Sequence, residues 1–154
     1  YSFLKNEMGI KKPHIAVCAI NPHAGEGGLY GREDDRITSP TIKKLSRSLL
    51  GKATLSGPHP SDTYFAKHLA APKNKRADAV IGMYHDQGLI PVKLIDFPNT
   101  VNITLGLPII RTSVDHGTAF DIAGKNLADP SSLIAAVEVA RQAIANRRKK
   151  RIKK

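Results

Sequence analysis

Cysteine, long apolar runs and targeting signals are scarce or absent in this 154-residue sequence. The single cysteine, Cys18, excludes an intrachain disulfide framework. No apolar run approaches the roughly 20 residues that a bilayer-spanning helix needs. The opening, Tyr1 to Gly9, has neither a basic-then-apolar signal pattern nor a small-residue cleavage site. We therefore expect a soluble, cytoplasmic protein without membrane partners, whose opening is a cut point and not a targeting segment.

Acidic residues are also few, since 24 Lys and Arg side chains face 13 Asp and Glu, and the net charge is +11. Residues 147–154 contain seven of the basic side chains, so the rest of the chain carries 11 minus 7, or +4. Such a terminal block predicts a solvated, disordered basic tail. The alternative is salt-dependent contact with an acidic partner or nucleic acid. No aromatic residue interrupts the block, so base stacking is not supported and nucleic-acid binding is not expected.

Apolar runs of strand type alternate with segments of helical periodicity, and 41% hydrophobic residues can form a core. The predicted strands are His14 to Ile20, Ala53 to Ser56, Ala77 to Met83 and Val101 to Leu105. The predicted helices are Asp35 to Leu50, Ser61 to about Ala71, Gly88 to Ile95 (a short helix or turn) and Ser131 to Arg148. This alternation favours a layered α/β/α fold with a mostly parallel sheet, whose ligand sites lie beyond the carboxyl ends of the strands.

Three histidines lie in polar, glycine-containing loops that each follow an apolar run. His23 lies in Asn21 to Gly28, His85 in Met83 to Gly88, and His116 in Ser113 to Ala119. Imidazoles with a nearby carboxylate suit a divalent cation, so the pattern indicates a metal site on which all three could converge. A lone loop histidine is more often a surface or hydrogen-bonding residue, and that interpretation stays open.

Three further polar residues, Lys93, Asn102 and Arg111, follow His85. Asn102 and Arg111 flank an otherwise apolar run, where burial without a partner would be unfavourable. A carboxylate or phosphate ligand is one such partner. The alternative is a structural salt bridge for Arg111 and a solvated Lys93.

Two other chemistries are not supported by the motifs. The glycines from Gly25 to Gly31 match neither the dinucleotide fingerprint nor the phosphate-binding P-loop. Ser113 beside Asp115 and His116 lacks the nucleophile elbow of a hydrolase.

Several longer motifs closely resemble the 4-hydroxythreonine-4-phosphate dehydrogenase family, which includes D-threonate and D-erythronate 4-phosphate dehydrogenases. The matching segments are Asn21 to Gly28, Gly57–Pro58 with Pro60 to Thr63, Met83 to Gly88, Val101 to Pro108 and Arg111 to Ala119. The resemblance extends from about His14 to Ile144. It implies part of the two-domain fold of isopropylmalate dehydrogenase, with residues 1–108 in a substrate and metal domain and residues 109–146 returning to the cofactor domain.

The resemblance also implies roles for individual residues. His23 and His85 would be two of three metal-binding histidines, for Zn, Mg or Co, with the third in an amino-terminal half outside this chain. Lys93, Asn102 and Arg111 would contact a phosphorylated hydroxy acid, and Lys93 would assist proton transfer if its pKa were lowered.

The stretch Asp115 to Pro130 resembles the cofactor loop of isocitrate and isopropylmalate dehydrogenases. The resemblance therefore assigns His116, Gly117 and Thr118 to NAD or NADP, which reduces the three converging imidazoles to two.

The implied reaction is the NAD-dependent oxidation and decarboxylation of 4-phosphohydroxy-L-threonine in vitamin B6 biosynthesis, by a homodimer with a shared active site. Because the family's enzymes are about twice as long, we expect this portion alone to be inactive. Two alternatives stay open. One is oxidation of D-threonate or D-erythronate 4-phosphate, and the other is a truncated, non-catalytic binding module whose tail engages an acidic partner.

Overall fold

A computed structural model describes the backbone of residues 1–152 and the side chains of residues 1–149. The α-helices and strands are α1 (Ser2–Asn6), β1 (His14–Cys18), α2 (Ser39–Ser48), β2 (Thr54–His59), α3 (Ser61–Ala70), β3 (Ala79–Ile81), α4 (His85–Asp96), β4 (Val101–Thr104), β5 (Arg111–Val114) and α5 (Ser131–Ile152). Pro22–Gly28 and Lys73–Lys75 form 3-10 segments, and Asp34–Thr38 forms a π-helical turn before α2. Among the residues described, no helix combines the length and the hydropathy of a membrane-spanning segment.

The chain forms two compact units, which meet in sequence between Pro91 and Val92. Unit 1 contains residues 10–91 with residues 1 and 3–5, and unit 2 contains residues from 92 onward with residues 2 and 6–9. The division into these two units reflects contacts between residues of this chain alone. The predicted boundary near residue 108 concerns the domains of a longer dehydrogenase, so that assignment stays a prediction.

Unit 1 is built on a parallel three-stranded sheet in the order β2, β1, β3. The central strand β1 is buried from Ile15 to Cys18, as expected for an apolar run covered on both faces. All three strands run in one direction, so the segments that follow them leave the same edge of the sheet. The predicted α/β fold with a parallel sheet is confirmed.

Gly57 allows β2 to lie directly against β1. Its φ is +124°, and a Cβ added there would collide with the carbonyl oxygen of Val17. The register between the two strands is irregular at this point, between Ala16 and Cys18. A residue with a side chain would be excluded both by its backbone conformation and by the neighbouring strand.

Unit 2 contains an antiparallel hairpin of β4 and β5, with α5 packed against it. The sequence from Asn102 to Arg111 predicts one apolar run before the His116 loop. The structure instead divides it into a strand, a turn and the start of a second strand. Gly106, with φ +85°, lies in that turn, where a positive φ favours glycine.

Helix α5 confirms the predicted helix and packs against the hairpin. Ser132 and Ala136 are buried there, and the Thr112 hydroxyl donates to the Ala136 carbonyl oxygen at 2.9 Å. Leu133 and Val137, two larger apolar residues of the same helix, are 59% and 62% exposed. Small side chains on the contact face allow the helix to approach the hairpin closely, and this displaces the larger apolar residues to the outside.

The prediction of a disordered tail from residue 147 is wrong for its first part, because α5 continues to Ile152. Arg147 Nε donates to Glu7 Oε1 at 2.6 Å, and its NH1 group donates to the Pro108 carbonyl oxygen at 3.0 Å. Lys and Arg are good helix formers, and their charge is favourable at the carboxyl end of a helix. Lys153 and Lys154 lie outside the described residues.

Candidate functional site

His23 follows β1 in a tight turn of left-handed backbone. Its φ is +53°, and every residue from His23 to Gly28 has a positive φ. Gly25 is buried within this turn, where an added Cβ would lie 2.9 Å from the Gly31 carbonyl oxygen. His23 Nδ1 lies 3.6 Å from Asp62 Oδ2, and both side chains are about half exposed. The turn therefore presents an accessible imidazole beside a carboxylate of α3.

The buried carboxylate of Asp34 holds the start of this turn. Asp34 is 1% exposed, and its two oxygens accept the backbone N–H groups of Ile20 and Asn21, each at 2.9 Å. Asn21 Nδ2 also donates to Glu33 Oε2 at 2.7 Å, and this bond is the main cause of a lowered pKa for Glu33. Nothing in the local sequence singles out Asp34, since an acidic pair before a helix indicates helix capping and not support of a distant loop.

His85 is the first residue of α4, not a loop residue as the sequence indicated. Its Nδ1 lies 2.8 Å from Asp86 Oδ1, and the His85 side chain is 80% exposed. A carboxylate only accepts hydrogen bonds, so this contact makes Nδ1 the donor and leaves the Nε2 lone pair available. Metal-binding histidines are commonly oriented in this way.

Gln87 is a buried amide, 7% exposed, that connects the segments around these histidines. Its Oε1 accepts the Met83 N–H at 2.7 Å. Its Nε2 donates to the Ala19 carbonyl oxygen at 2.7 Å and to Ser61 Oγ at 3.2 Å. No local sequence pattern indicates this role, since the segment shows only a glutamine beside Gly88.

His23 and His85 fit a metal site as contributors and not as a complete set. Imidazole nitrogen is a preferred donor for Zn and Co. In the described part of the chain, however, no three His, Cys, Asp or Glu side chains come together to hold an ion. Both imidazoles belong to unit 1, and further donors would have to come from outside the described residues.

Asn102 and Arg111 lie on one face of the β4–β5 hairpin. Asn102 pairs with Ser113 and Thr104 pairs with Arg111, so the two predicted substrate residues are diagonal neighbours. Arg111 NH1 donates to Thr104 Oγ1 at 2.9 Å, and both Asn102 and Arg111 are exposed. Among the described residues no carboxylate pairs with Arg111, so the structural salt bridge considered as an alternative does not form there.

Lys93 lies on α4 beside Asp115, a residue that lines a cleft. Its Nζ lies 3.3 Å from the Asp115 carbonyl oxygen, 3.6 Å from Asp115 Oδ2 and 5.1 Å from the Phe97 ring centre. Asp115 Oδ2 is buried and accepts no hydrogen bond. The alternative of a solvated Lys93 is therefore wrong, because the side chain is half-buried and already paired.

The cleft of unit 2 has a volume of about 720 Å³ and contains the residues predicted to bind the cofactor. His116, Gly117 and Thr118 all line it, and His116 Nδ1 lies 3.0 Å from the Gly117 carbonyl oxygen. The other lining residues are Phe97, Pro98, Asp115, Ala119, Ile122, Ala123, Gly124, Asn126, Ala128, Asp129 and Ser132. A cleft of this size, with many small residues, suits a small-molecule ligand.

A second histidine cluster, which the sequence did not indicate, lies between the sheet and α3. The Ser56 hydroxyl contacts His14 Nε2 at 2.8 Å and His59 Nε2 at 2.9 Å, and Tyr64 stacks on His59 and His68. Burial is the main cause of a lowered pKa for His59 and for His68.

Comparison with known proteins identifies the family. The model of the pyridoxal phosphate biosynthetic protein PdxA matches residues 1–140. A 4-hydroxythreonine-4-phosphate dehydrogenase of Caulobacter vibrioides is 54% identical over 144 residues, which is 94% of this chain and 41% of the relative. A protein of Bradyrhizobium diazoefficiens, named as a candidate D-threonate 4-phosphate dehydrogenase, is 54% identical over 149 residues, covering 90% of this chain and 41% of that protein.

A solved structure gives the same result for the fold. The crystal structure of 4-hydroxythreonine-4-phosphate dehydrogenase from Klebsiella pneumoniae superposes with a TM-score of 0.73 at 44% identity, over 92% of this chain and 40% of that one. The predicted fold of the isopropylmalate dehydrogenase type is thus confirmed, and the chain spans about 40% of the length of the relatives it matches. The chain belongs to the family of the pyridoxal phosphate biosynthetic protein PdxA.

Proposed function

We propose that this chain is the carboxyl-terminal portion of a dehydrogenase that oxidises 4-phosphohydroxy-L-threonine in pyridoxal 5′-phosphate synthesis. The secondary alcohol would give a hydride to NAD or NADP and a proton to a base. The resulting β-keto acid would then lose CO₂, and the carbon left behind would take up a proton. The observation that carries this proposal is the family match over residues 1–140, together with 54% identity to a relative named for this reaction.

In this proposal His23 and His85 hold a divalent metal, with Zn, Mg and Co as the candidate ions. When bound, the metal supplies a Lewis acid that stabilises negative charge on the substrate oxygen. The contact of Asp86 with His85 Nδ1 supports the assignment, because it leaves Nε2 available as a donor. The Asp62 carboxylate lies 3.6 Å from His23 Nδ1, so a carboxylate neighbours this imidazole as well.

Arg111, Asn102 and Lys93 bind the anionic substrate in the proposed enzyme. Arg111 uses only one described hydrogen bond, to Thr104, so most of its guanidinium donors are free for a phosphate or carboxylate. Asn102 shares its hairpin face and can add an amide donor. Anchoring the anion in this way aligns the transferred hydride with the cofactor.

Lys93 is the proposed proton-transfer residue. Its ammonium contacts the Asp115 backbone carbonyl at 3.3 Å and the side chain at 3.6 Å, directly before the cofactor residues. Asp115, which lines the cleft, thus pairs with the lysine. From there Lys93 can donate a proton to the substrate or take one from it.

The cleft beside His116, Gly117 and Thr118 is the proposed binding site for NAD or NADP. Its volume and its small lining residues support this assignment. A homodimer with a shared active site and a cytoplasmic location remain predictions from the family resemblance.

Turnover of the complete gene product tests the proposal. We expect NADH to form from 4-phosphohydroxy-L-threonine, and Arg111→Lys to raise KM about tenfold because the bidentate contact is lost. Arg141→Lys is the matched control, since Arg141 is an exposed arginine that pairs with Glu138 on α5. Equal kinetics for both variants would contradict the substrate role of Arg111.

The D-threonate relative supports a second candidate substrate class, D-threonate or D-erythronate 4-phosphate. Comparing kcat/KM for the three phosphorylated acids decides between the candidates. A non-catalytic module acting through its basic tail has less support, because the Arg147 guanidinium is already held by Glu7 and Pro108.

A further inference from the structure

We infer that Gln87 is a positioning residue that sets the geometry of the metal-binding histidines through one buried amide. This inference rests on the proposed function, because it assigns Gln87 a task in the metal site of that enzyme. Gln87 itself does not touch the reacting atoms.

The hydrogen bonds of Gln87 reach the three segments that carry the candidate site. Its Nε2 donates to the carbonyl oxygen of Ala19, at the end of β1, and to the hydroxyl of Ser61, the first residue of α3. Its Oε1 accepts the Met83 N–H, in the segment between β3 and α4. Each partner lies shortly before a site residue, respectively His23, Asp62 and His85.

The chemistry of the three contacts selects an amide. The Ala19 carbonyl and the Ser61 hydroxyl accept hydrogen bonds from the two N–H groups of the Gln87 amide, and the Met83 N–H donates to its oxygen. A glutamate would place a carboxylate against the Ala19 carbonyl oxygen and could not donate to it. A methionine of similar length would leave the carbonyl of the buried Ala19 and the partly buried Met83 N–H unpaired.

The positions of His23 and His85 depend on these segments, because neither imidazole is fixed by burial. The His85 side chain is 80% exposed and that of His23 is 56% exposed. Two exposed rings bind one ion tightly only if the backbone beneath them is held at the correct separation. Gln87 supplies a direct link between the backbone before His23 and the backbone before His85.

Calorimetric titration of the metal-free complete gene product with Co²⁺ tests the inference at a temperature well below unfolding. We expect Gln87→Met to raise the Kd for Co²⁺ about tenfold, as for other residues that orient metal ligands. Ile42→Ala is the matched control for lost stability, because Ile42 is a buried core residue of α2 in the same unit. It should lower Tm while leaving the Co²⁺ affinity unchanged.

A second variant keeps the test decisive if Gln87→Met does not fold. Ser61→Ala removes only the 3.2 Å contact and should raise Kd about threefold, the expected effect of one hydrogen bond. In the double variant, the Kd for Co²⁺ should be no higher than in Gln87→Met alone, because both changes act through one hydrogen-bond network.

The possible failures are distinguishable. If the unchanged protein binds Co²⁺ but Gln87→Met (or Ser61→Ala, if only that variant folds) binds it equally well, the positioning role is wrong and the proposed function stands. If the unchanged protein does not bind Co²⁺, the metal part of the proposed function fails and the role of Gln87 fails with it.

Discussion

Two regions of this chain are assigned to ligands, and they are held in different ways. In unit 1, the segments that carry His23 and His85 are fixed by two buried polar side chains, Asp34 and Gln87. In unit 2, residues 116–121 are exposed, and the stretch from Ala119 to Lys125 is shaped by short-range backbone hydrogen bonds. Changes in the first region should therefore alter stability and affinity together. Changes in the second should alter affinity with little effect on stability.

The largest expected effect is that of Asp34→Ala. It leaves the Ile20 and Asn21 N–H groups without their acceptors in a partly buried setting, which should lower the free energy of unfolding by about 3 kcal/mol. The neighbouring, exposed Asp35→Ala is the matched control and should change it by less than about 0.5 kcal/mol. Urea unfolding of the complete gene product measures both. If the two variants had similar free energies of unfolding, Asp34 would not hold the turn that carries His23.

Two glycine substitutions compare the stability of the two regions, and their expected effects are smaller than that of Asp34→Ala. Gly25→Ala should destabilise by about 2 kcal/mol, because φ is +83° and the new Cβ would lie 2.9 Å from a carbonyl oxygen. Gly117→Ala should be neutral or stabilise by about 0.5 kcal/mol, because its Cβ would meet nothing within 4 Å. Thermal unfolding of both variants tests this. If Gly117→Ala lowered stability as much as Gly25→Ala, residues 116–121 would be held as tightly as the turn that carries His23.

The smallest expected change is a loss of stability at mildly acidic pH, which arises in unit 1. Burial lowers the folded-state pKa of His59 and His68 below the usual 6.5. The unfolded chain then binds more protons than the folded one, so the stabilisation present above pH 6.5 is lost as the pH falls through the lowered values.

Urea unfolding at pH 7.5, 6.5 and 5.5 measures this loss. His59→Gln should reduce the pH dependence, whereas the exposed Gln142→Ala on α5 should not. Stability that rises between pH 6.5 and 5.5 would contradict the assignment.

The sequence predicts the parts of the fold that are decided locally. The continuous apolar run from His14 gives the buried strand β1, and Asp129 with Pro130 marks the start of α5. The loops beyond β1 and β3 follow from the alternation of strands and helices. The same logic places His23 beyond the carboxyl end of β1 and His85 just beyond that of β3.

The supporting residues could not be predicted, because their roles depend on partners distant in sequence. Gln87 bonds to Ala19 and Ser61, and no local pattern shows that these residues meet. The sequence predicts that Arg147 begins a solvated tail, because nothing local shows that its guanidinium binds Glu7. Likewise, the apolar run from Asn102 to Arg111 gives no sign of a hairpin apart from Gly106 and Pro108.

The proposed function depends most on the assignment of His23 and His85 to a metal site. It is tested most directly by NADH formation from 4-phosphohydroxy-L-threonine before and after treatment of the complete gene product with EDTA. Turnover should be lost on chelation, return on addition of Zn²⁺, Mg²⁺ or Co²⁺, and not return in His23→Ala or His85→Ala. Turnover that survives EDTA, or that is unchanged in both histidine variants, would contradict it.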